Sequence, residues 1–441
     1  MTADIALKVA MATAKVLRHR QDGQPTDRVV IGKDTRLSCY MLEQAMTAGF
    51  LSMGMNVILT GPVPTPAVAM LTRSLRCDLG VMISASHNSF EDNGIKLFGA
   101  DGYKLDDEIE LEIEAALQKD LNDDLALTAD LGKATRFDDA IGRYAESVKR
   151  ALPRGSTLEG LKVVVDCAHG AAYKVAPQVL WELEADVISI GVLPNGRNIN
   201  DGYGATSTGR LQEAVVDHGA DIGIALDGDA DRLIMVDETG TKIDGDQLMA
   251  ALAISMQDSG DLAKPALVTT VMSNLGLERL LKSKDIDLIR TWVGDRYVME
   301  AMRADGYNLG GEQSGHIILS DLNTTGDGLQ AAIRVCSIMK ESGKKASEAL
   351  KLFEPLPQIL RNVEYDPKTL KGSKPMDKQE VKDAIEKATS DFANDGRVLV
   401  RPSGTEPVLR VMAEGDEPQQ VETSVSDICA VIEKVEQCAV G

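Results

Sequence analysis

The segment Val81-Met-Ile-Ser-Ala-Ser-His-Asn-Ser-Phe-Glu-Asp-Asn-Gly-Ile-Lys96 joins a short apolar run to a loop rich in hydroxyl, imidazole, amide and ammonium groups. The apolar run predicts a buried strand. A polar loop that follows a strand is where α/β proteins place their binding and catalytic groups. In this loop Ser86 and His87, with Lys96 further on, suit a nucleophile with acid/base and phosphate-holding partners. For this segment alone, a polar turn stabilised by Ser84 and Asn88 is the alternative.

Strand and helix patterns alternate on both sides of this loop. Apolar periodicity predicts a helix from Ile5 to Val16 and a strand at Val29–Ile31, and the alternation recurs from Leu161 and again from Pro265. Three such segments predict three related α/β domains with mixed, mostly parallel sheets. The C-terminal segment, with two strands and a closing helix, predicts a small α+β domain. The predicted domain boundaries are 1–155, 156–256, 257–368 and 369–441.

A second polar motif, Asp227-Gly-Asp-Ala-Asp-Arg232, follows another short apolar run. Because small residues separate Asp227, Asp229 and Asp231, the three carboxylates can converge, and a cation bound among them would relieve their repulsion. All-oxygen ligation suits Mg²⁺ or Ca²⁺. An EF-hand is excluded, since Arg232 stands where that loop requires glycine. A solvated acidic turn is the alternative to a hard-metal site.

Two further motifs are rich in glycine and in hydrogen-bonding groups. Gly310-Gly-Glu-Gln-Ser-Gly-His316 places a carboxylate, an amide, a hydroxyl and an imidazole between glycines, which suits a ligand with many hydroxyl groups. Arg401-Pro-Ser-Gly-Thr-Glu-Pro-Val-Leu-Arg410 combines two arginines with two hydroxyls and a glycine, which suits a phosphate cradle. A plain glycine-rich turn and a charged hairpin turn are the respective alternatives.

These four motifs, in this order, resemble the signature loops of the α-D-phosphohexomutase family. They are similar to its phosphoserine loop, metal loop, sugar-binding loop and phosphate-binding loop. The resemblance extends over nearly the whole chain and implies four domains around a central cleft, with one loop from each domain. Gly32–Arg36, Gly294–Tyr297 and Gln313 look most like the bacterial members that act on glucosamine phosphates.

The resemblance implies a phosphoryl group on Ser86 and Mg²⁺ bound by Asp227, Asp229, Asp231 and an oxygen of that group. It implies interconversion of glucosamine 6-phosphate and glucosamine 1-phosphate through a 1,6-bisphosphate, a step that feeds UDP-N-acetylglucosamine and cell-wall synthesis. Ser84 is expected to tolerate substitution far better than Ser86.

The resemblance also implies roles for other residues of the motifs. Lys96 and His316 are the candidates for general acid/base catalysis, with phosphate or hydroxyl binding as the alternative for each. His87 is expected to orient the serine loop as well as to contact the substrate. The residues with implied substrate contacts are Arg36, His87, Arg232, Arg296, Glu312, Ser314, Arg401, Ser403, Gly404, Thr405 and Arg410.

Two other functions stay open at this point. The shared loops also suit a phosphomannomutase or phosphoglucomutase, and a phosphosugar-binding protein without catalysis is the second alternative. The chain starts at Met1-Thr-Ala-Asp4 without the family's opening strand and Phe-Gly-Thr-Asp-Gly-x-Arg-Gly loop, and Ser89 stands where the family usually has proline. We therefore expect the chain as written to be weakly active or unstable, with a start codon assigned too far downstream.

The composition indicates the class of protein and its compartment. The 441 residues carry 47 Lys and Arg against 68 Asp and Glu, a net charge of −21, which argues against partners such as nucleic acid or an anionic membrane. Six cysteines without metal-type spacing fit a reducing, cytoplasmic location, although a basic N-terminal transit peptide is an alternative. The oligomeric state stays open, a homo-oligomer included.

Overall fold

Four β-sheets organise the chain, three in one structural unit and the fourth in another. The structure is a computed structural model that describes residues 1–20, 27–366, 374–393, 395–403 and 407–440. One unit comprises residues 1–272 and 284–352, and the other comprises residues 273–283 and 353–441. The sequence pattern predicts three mixed α/β domains and a smaller α+β domain, and this prediction is confirmed.

The first sheet has five strands in the order β4-β3-β1-β2-β5. Strands β1, β2, β3 and β5 run parallel, and β4 runs antiparallel to β3. Helices α1, α2 and α4 share a buried core with one face of this sheet, whereas α3 contacts β1 and β3. Since both faces are covered, β1 is apolar along most of its length. The elements are α1 (Ala3–Arg20), β1 (Arg28–Lys33), α2 (Leu37–Ser52), β2 (Asn56–Pro62), α3 (Thr65–Ser74), β3 (Leu79–Ile83), β4 (Ile95–Gly99), α4 (Asp107–Leu117) and β5 (Ala134–Arg136).

The second sheet repeats this pattern in the order β10-β9-β8-β6-β7. Strands β7, β6 and β8 run parallel, and β9 turns back antiparallel to β8. Its elements are α5 (Ala140–Val148), β6 (Lys162–Asp166), α6 (Val175–Glu182), β7 (Asp186–Ile190), α7 (Gly209–His218), β8 (Ile222–Leu226), β9 (Leu233–Asp237) and β10 (Lys242–Ile243).

The third sheet has the order β12-β11-β13-β14, with β14 antiparallel to β13. Helix α8 contacts β11 and β13. The predicted domain boundary between residues 256 and 257 therefore falls inside α8, which packs on this sheet. A boundary before α8 agrees better with these contacts. The elements are α8 (Gly245–Ser259), β11 (Ala266–Thr270), β12 (Asp287–Thr291), α10 (Asp295–Asp305), β13 (Leu309–Gly311), β14 (Ile317–Leu319), α11 (Gly328–Ser342) and α12 (Ala346–Ala349), with α9 (Leu275–Lys282) belonging to the other unit.

The fourth sheet is antiparallel, in the order β15-β17-β16. Val363, Leu409 and Val411 share its core with residues of helices α13 and α14. The elements are β15 (Gln358–Glu364), α13 (Gln379–Phe392), β16 (Gly396–Pro402), β17 (Val408–Gly415) and α14 (Pro418–Val440). Because β15 pairs within this sheet, the predicted start of the last domain at residue 369 lies too late in the chain. The boundary at residues 155 and 156 stays a prediction.

Each of the four polar motifs lies in the chain between two strands that pair antiparallel, and residues 404–406 of the fourth lie outside the described residues. The serine loop, residues 84–94, joins β3 to β4, and the acidic loop, residues 227–232, joins β8 to β9. Residues 312–316 join β13 to β14, and residues 403–407 join β16 to β17. In the first three sheets the motif thus follows a strand that runs parallel to its other neighbour, at the edge where such sheets gather functional groups.

Two further features of the described residues are their buried thiols and their lack of a helix that could span a membrane. Five cysteines of the described residues are buried and free: Cys39, Cys77, Cys167, Cys336 and Cys429. Across the described part of the chain, no helix combines the length and the apolar character needed to cross a bilayer.

Candidate functional site

The serine loop and the acidic loop meet at the side chain of Ser86. The Ser86 hydroxyl donates a hydrogen bond to Asp227 Oδ2 at 2.6 Å, although 141 residues separate the two in sequence. The backbone of Ser86 is left-handed, with φ of +51°. For a residue other than glycine this conformation costs on the order of 1–2 kcal/mol, so surrounding contacts must hold it in place.

Those contacts come from Asp34, Arg36 and Ser84. Ser84 Oγ donates to Asp34 Oδ2 at 2.7 Å and accepts from the Ser86 amide at 2.9 Å. The Arg36 guanidinium pairs with Asp34 Oδ2 at 2.8 Å and donates to backbone carbonyls of the loop, including those of Ser86 and Asn88 at 2.9 Å each. This network fixes the backbone around the hydroxyl.

The role predicted for Arg36 needs correction. Its side chain is 0% exposed, and its guanidinium donors are directed at Asp34 and at loop carbonyls. A guanidinium enclosed in this way cannot reach a phosphosugar without breaking the loop. In this structure the Arg36 guanidinium supports the backbone of the serine loop.

The acidic loop forms a cluster of three buried carboxylates. Asp227, Asp229 and Asp231 each offer one oxygen, and these oxygens lie within 4.8 Å of one another. Oδ1 of Asp229 and Oδ1 of Asp231 are buried without a hydrogen-bond partner among the described residues. Unpaired buried carboxylate oxygens are costly, and the donor set is the one that hard divalent cations prefer. The residues present therefore fit a metal ion.

The electrostatics of this cluster agree with a cation site. Burial, followed by the negative charges of Asp231 and Asp229, raises the pKa of Asp227 well above its usual range. Burial alone would also raise the pKa of Asp231, but Lys96 and His316 lower it well below its usual range. The charged form of Asp227 is thus disfavoured by burial and by the negative charges of its neighbours. A bound cation would remove this electrostatic penalty.

Lys96 lies against the same cluster. Its ammonium contacts Asp229 Oδ2 at 2.7 Å and Asp231 Oδ2 at 2.9 Å, and its side chain is 20% exposed. Burial would lower the pKa of Lys96, but the two aspartates outweigh it and hold the pKa above its usual range. A lysine in this state is protonated, so it can donate a proton or bind an anion but is poorly suited to accept a proton.

His316 lies behind the acidic cluster. It is 3% exposed, with Nδ1 at 3.8 Å from Asp231 Oδ2 and Nε2 at 3.6 Å from Asp295 Oδ2, and the Gly326 amide donates to Nε2. Burial would lower the pKa of His316, but Asp231 and Asp295 raise it above its usual range. Such enclosure favours a role in orienting Asp231 over direct proton transfer to a substrate.

Other predicted residues differ in how free their side chains are. The Arg232 guanidinium is half-buried near the cluster, and it forms no hydrogen bond with a described residue. Burial, and then the charge of Arg232, lowers the pKa of His87, so this imidazole is neutral at pH 7. By contrast, Arg296 is occupied: it pairs with Asp107 and Glu110 on α4. The contact of Arg296 with a substrate stays a prediction.

The residues 312–316 turn presents one carboxylate and one hydroxyl side by side. Glu312 Oε1 accepts from the Gly294 amide at 3.1 Å, and Oε2 accepts from the Ser314 hydroxyl at 3.3 Å. Ser314 is exposed and Glu312 half-buried. Both side chains thus remain able to bind hydroxyl groups of a ligand.

In the second unit, Arg401 and Arg410 are direct cross-strand neighbours on β16 and β17. The Nε atoms of both are buried without a hydrogen-bond partner among the described residues. Burial, and then the charge of Arg410, lowers the pKa of Arg401. Like charges directly opposite each other are destabilising unless an anion lies between them. Ser403 lies next to this pair, whereas Gly404 and Thr405 lie outside the described residues.

Several residues at the site were not singled out by the sequence analysis. Thr65, at the start of α3, donates its hydroxyl to Asp229 Oδ2 and its amide to the Asp229 carbonyl. Lys104 pairs with Asp295, and although burial acts in the opposite direction, His316 and Lys104 lower the pKa of Asp295 to about 2. Neither Thr65 nor Lys104 stands in a polar motif, so only the fold reveals them.

Gly228 lies where the acidic loop crosses the serine loop, and this contact leads to a prediction. A Cβ at residue 228 would lie 2.5 Å from the Ser86 carbonyl oxygen, a backbone atom that cannot turn aside. We expect Gly228→Ala to displace Ser86 and to lower turnover by about 10- to 100-fold, the usual effect of a misplacement near 1 Å. Steady-state rates would measure this. Gly209→Ala, exposed at the start of α7 with open space around it, is the control, and equal rates in both variants would contradict the prediction.

Protein-family models match almost the whole chain. They describe the α/β/α domains I, II and III of phosphoglucomutase/phosphomannomutase at residues 1–124, 142–240 and 244–356, and the C-terminal domain of the same enzymes at residues 360–431. The four matches follow the order of the four sheets.

Two relatives that match this chain over nearly its full length carry the same name. The chain is 59% identical over 435 residues to a phosphoglucosamine mutase from Xanthobacter autotrophicus, covering 99% of this chain and 96% of the relative. It is 58% identical over 433 residues to a phosphoglucosamine mutase from Parvibaculum lavamentivorans, covering 98% and 95%.

Solved structures show the same fold at lower identity. A phosphoglucomutase/phosphomannomutase family protein from Burkholderia thailandensis aligns with a TM-score of 0.80 at 22% identity, covering 98% of this chain and 94% of that one. An N-acetylglucosamine-phosphate mutase described as a member of the α-D-phosphohexomutase superfamily aligns with a TM-score of 0.60 at 19% identity, covering 84% and 92%. With its four domains matched in order and its relatives more than half identical, this chain belongs to the α-D-phosphohexomutase family.

Proposed function

We propose that this protein is an isomerase that interconverts glucosamine 6-phosphate and glucosamine 1-phosphate. The observation that carries the proposal is the hydroxyl of Ser86, held on a strained backbone at 2.6 Å from a buried triad of aspartates. The full-length similarity to proteins named phosphoglucosamine mutase supports the choice of sugar.

The proposed reaction has two phosphoryl transfers. In the first, O1 of glucosamine 6-phosphate attacks the phosphorus carried by Ser86: the O1–P bond forms and the Ser86 Oγ–P bond breaks. O1 loses its proton, and the leaving group Ser86 Oγ takes up a proton and becomes a free hydroxyl. The resulting glucosamine 1,6-bisphosphate turns over in the site. In the second, Ser86 Oγ loses its proton and attacks the phosphorus on O6: the Oγ–P bond forms, the O6–P bond breaks, and O6 takes up a proton. Transfers of this kind depend on positioning and on charge stabilisation.

Asp227, Asp229 and Asp231 are the proposed ligands of a Mg²⁺ ion, together with an oxygen of the phosphoryl group on Ser86. When bound, Mg²⁺ would offset negative charge on the phosphoryl group during transfer. The unpaired Oδ1 atoms of Asp229 and Asp231 support this assignment. Thr65 and Lys96 hold the other oxygen of Asp229, so its carboxylate is oriented before any ligand arrives.

The roles of the remaining residues are part of the same proposal. The protonated Lys96 acts as a general acid or as a phosphate ligand, and Arg232 and His87 contact the phosphosugar near the serine. Glu312 and Ser314 bind sugar hydroxyls through the groups that they present at the residues 312–316 turn. His316 orients Asp231, which replaces the acid/base role predicted for it.

The second phosphate is proposed to bind at Arg401, Ser403, Gly404, Thr405 and Arg410. We expect Arg410→Ala to raise KM by about 10-fold or more and Ser403→Ala to raise it less, because charge-assisted contacts are roughly twice as strong as neutral ones. Since this phosphate is bound in both ground and transition states, kcat should change little. Arg361→Ala is the matched control, because Arg361 lies in the same sheet but pairs with Glu422 and Ser426. A normal KM in Arg410→Ala would place the distal phosphate elsewhere.

A coupled assay with a trace of 1,6-bisphosphate tests the proposed function. Turnover of glucosamine 6-phosphate should exceed that of glucose 6-phosphate and mannose 6-phosphate. Preference for either of the latter would indicate a phosphoglucomutase or phosphomannomutase instead. Binding of all three sugars without turnover, and without phosphate on Ser86 by intact mass, would indicate a binding protein.

The net charge and the buried thiols support two further proposals, one about partners and one about location. The net charge of −21 supports a protein that binds neither nucleic acid nor anionic membranes. The buried free thiols support a reducing compartment such as the cytoplasm. The oligomeric state stays open, a homo-oligomer included, and light scattering would measure it.

A further inference from the structure

Asn200, which lies outside every motif, contacts the backbone of the serine loop. It follows β7 in the second domain, and its own backbone is left-handed, with φ of +61°. The Asn200 amide donates to the Ala168 carbonyl at 2.9 Å, and the neighbouring Ile199 is buried. This backbone hydrogen bond and the burial of Ile199 together fix the main chain of Asn200. The position from which its side chain extends is therefore fixed as well.

The side chain of Asn200 binds two carbonyls of the serine loop. Nδ2 donates to the Ser86 carbonyl at 2.9 Å and to the Asn88 carbonyl at 2.8 Å. The Arg36 guanidinium donates to the same two carbonyls at 2.9 Å each. Each oxygen thus accepts one bond from the first domain and one from the second, which uses both of its lone pairs. We call this arrangement of Arg36, Asn200 and the two carbonyls the carbonyl clamp.

The acidic loop packs directly on the carbonyl clamp. A Cβ at Gly228 would lie 2.5 Å from the Ser86 carbonyl oxygen and 2.8 Å from Asn200 Nδ2. The backbone of the acidic loop therefore touches both members of one hydrogen bond. Asp227, which lies next to Gly228, accepts the hydrogen bond of the Ser86 hydroxyl at 2.6 Å. A shift of the Ser86 carbonyl would therefore move this hydroxyl relative to Asp227.

We propose that Asn200 is a positioning residue for phosphoryl transfer, which fixes Ser86 against the aspartate triad through the Ser86 carbonyl. The inference rests on the proposed mutase function. A serine with a left-handed backbone is retained only where its surroundings determine its conformation. The side-chain amide of Asn200 supplies the part of that restraint that comes from the second domain. Asn200 binds backbone oxygens and not the sugar, so its loss should slow the transfer and leave substrate affinity unchanged.

Asn200→Gly is the sharpest test, because glycine keeps the left-handed backbone while the side chain that carries the amide is removed. We expect kcat to fall by about 10- to 100-fold with KM within about twofold of wild type. Asn200→Asp should lose at least as much, since a carboxylate would face two carbonyl oxygens. Glu184→Gly, at an exposed left-handed position in the same domain, is the matched control and should keep the wild-type rate.

Hydrogen exchange gives a readout that does not depend on activity. Amides of residues 84–94 should exchange faster in Asn200→Gly than in wild type, and at the wild-type rate in Glu184→Gly. Unchanged exchange, or a kcat within about twofold of wild type in Asn200→Gly, would overturn the inference, as would a rise in KM alone. Should Asn200→Gly fail to fold, the near-isosteric Asn200→Asp answers the same question. If the wild type does not turn over glucosamine 6-phosphate, the proposed function fails, and the exchange experiment still decides whether the clamp exists.

Discussion

Ser86→Ala is expected to abolish turnover, by on the order of 10³-fold or more, while leaving the fold intact. The substitution removes the oxygen that is proposed to accept and return the phosphoryl group, and no other hydroxyl in the described residues occupies its position against Asp227. The side chain contributes one hydrogen bond and little packing, so the loss of stability should be small. Mutase rates and circular dichroism measure the two effects. Retention of more than a few per cent of the wild-type rate would rule out the phosphoserine mechanism.

The control for this experiment must be chosen from the structure. Ser84 was expected to tolerate substitution, but it is 2% exposed and its hydroxyl links Asp34 to the Ser86 amide. Ser84→Ala should therefore loosen the loop and lower the rate. Ser89 is the better control, because its side chain is exposed and forms no hydrogen bond with a described residue. Ser89→Ala should behave like wild type.

Asp229→Asn is expected to lower the rate by orders of magnitude and to weaken Mg²⁺ binding. The change removes a charged oxygen from a proposed ligand with almost no change in volume, at a residue whose Oδ1 is buried without a partner among the described residues. EDTA should silence the wild type, and added Mg²⁺ should restore it. Rates across a Mg²⁺ titration measure the shift in affinity.

A surface aspartate of the same domain serves as the control for the metal experiment. Asp217 is exposed on α7, and Asp217→Asn removes the same charge far from the triad. Its rate and Mg²⁺ dependence should match the wild type. Full activity of the wild type in chelator would mean that the acidic triplet is only a turn.

Local pattern was sufficient to predict the parts of the site that lie within one loop. Alternation with small residues indicated that Asp227, Asp229 and Asp231 converge, and the structure places their oxygens within 4.8 Å. The apolar run before the serine predicted β3. These features depend on neighbours in sequence, so a single segment contains all the information they need.

Contacts between segments could not be predicted in this way. Arg36 was interpreted as a substrate ligand because it is a cation in a polar motif, but the direction of its side chain depends on where residues 84–92 fold. Asn200 and Lys104 lie in stretches with no distinctive pattern, and their roles arise only from pairing with Ser86 and Asp295. A sequence indicates which groups are available, whereas topology decides what each of them faces.

The left-handed backbone at residue 86 also bears on the choice of amino acid there. Threonine has a hydroxyl of similar chemistry, but its branched Cβ disfavours a positive φ far more strongly than serine does. At φ of +51°, a threonine would strain the loop or rotate its oxygen away from Asp227. Main-chain geometry thus favours serine over threonine as the proposed phosphate carrier, and hydroxyl reactivity alone would not distinguish the two residues.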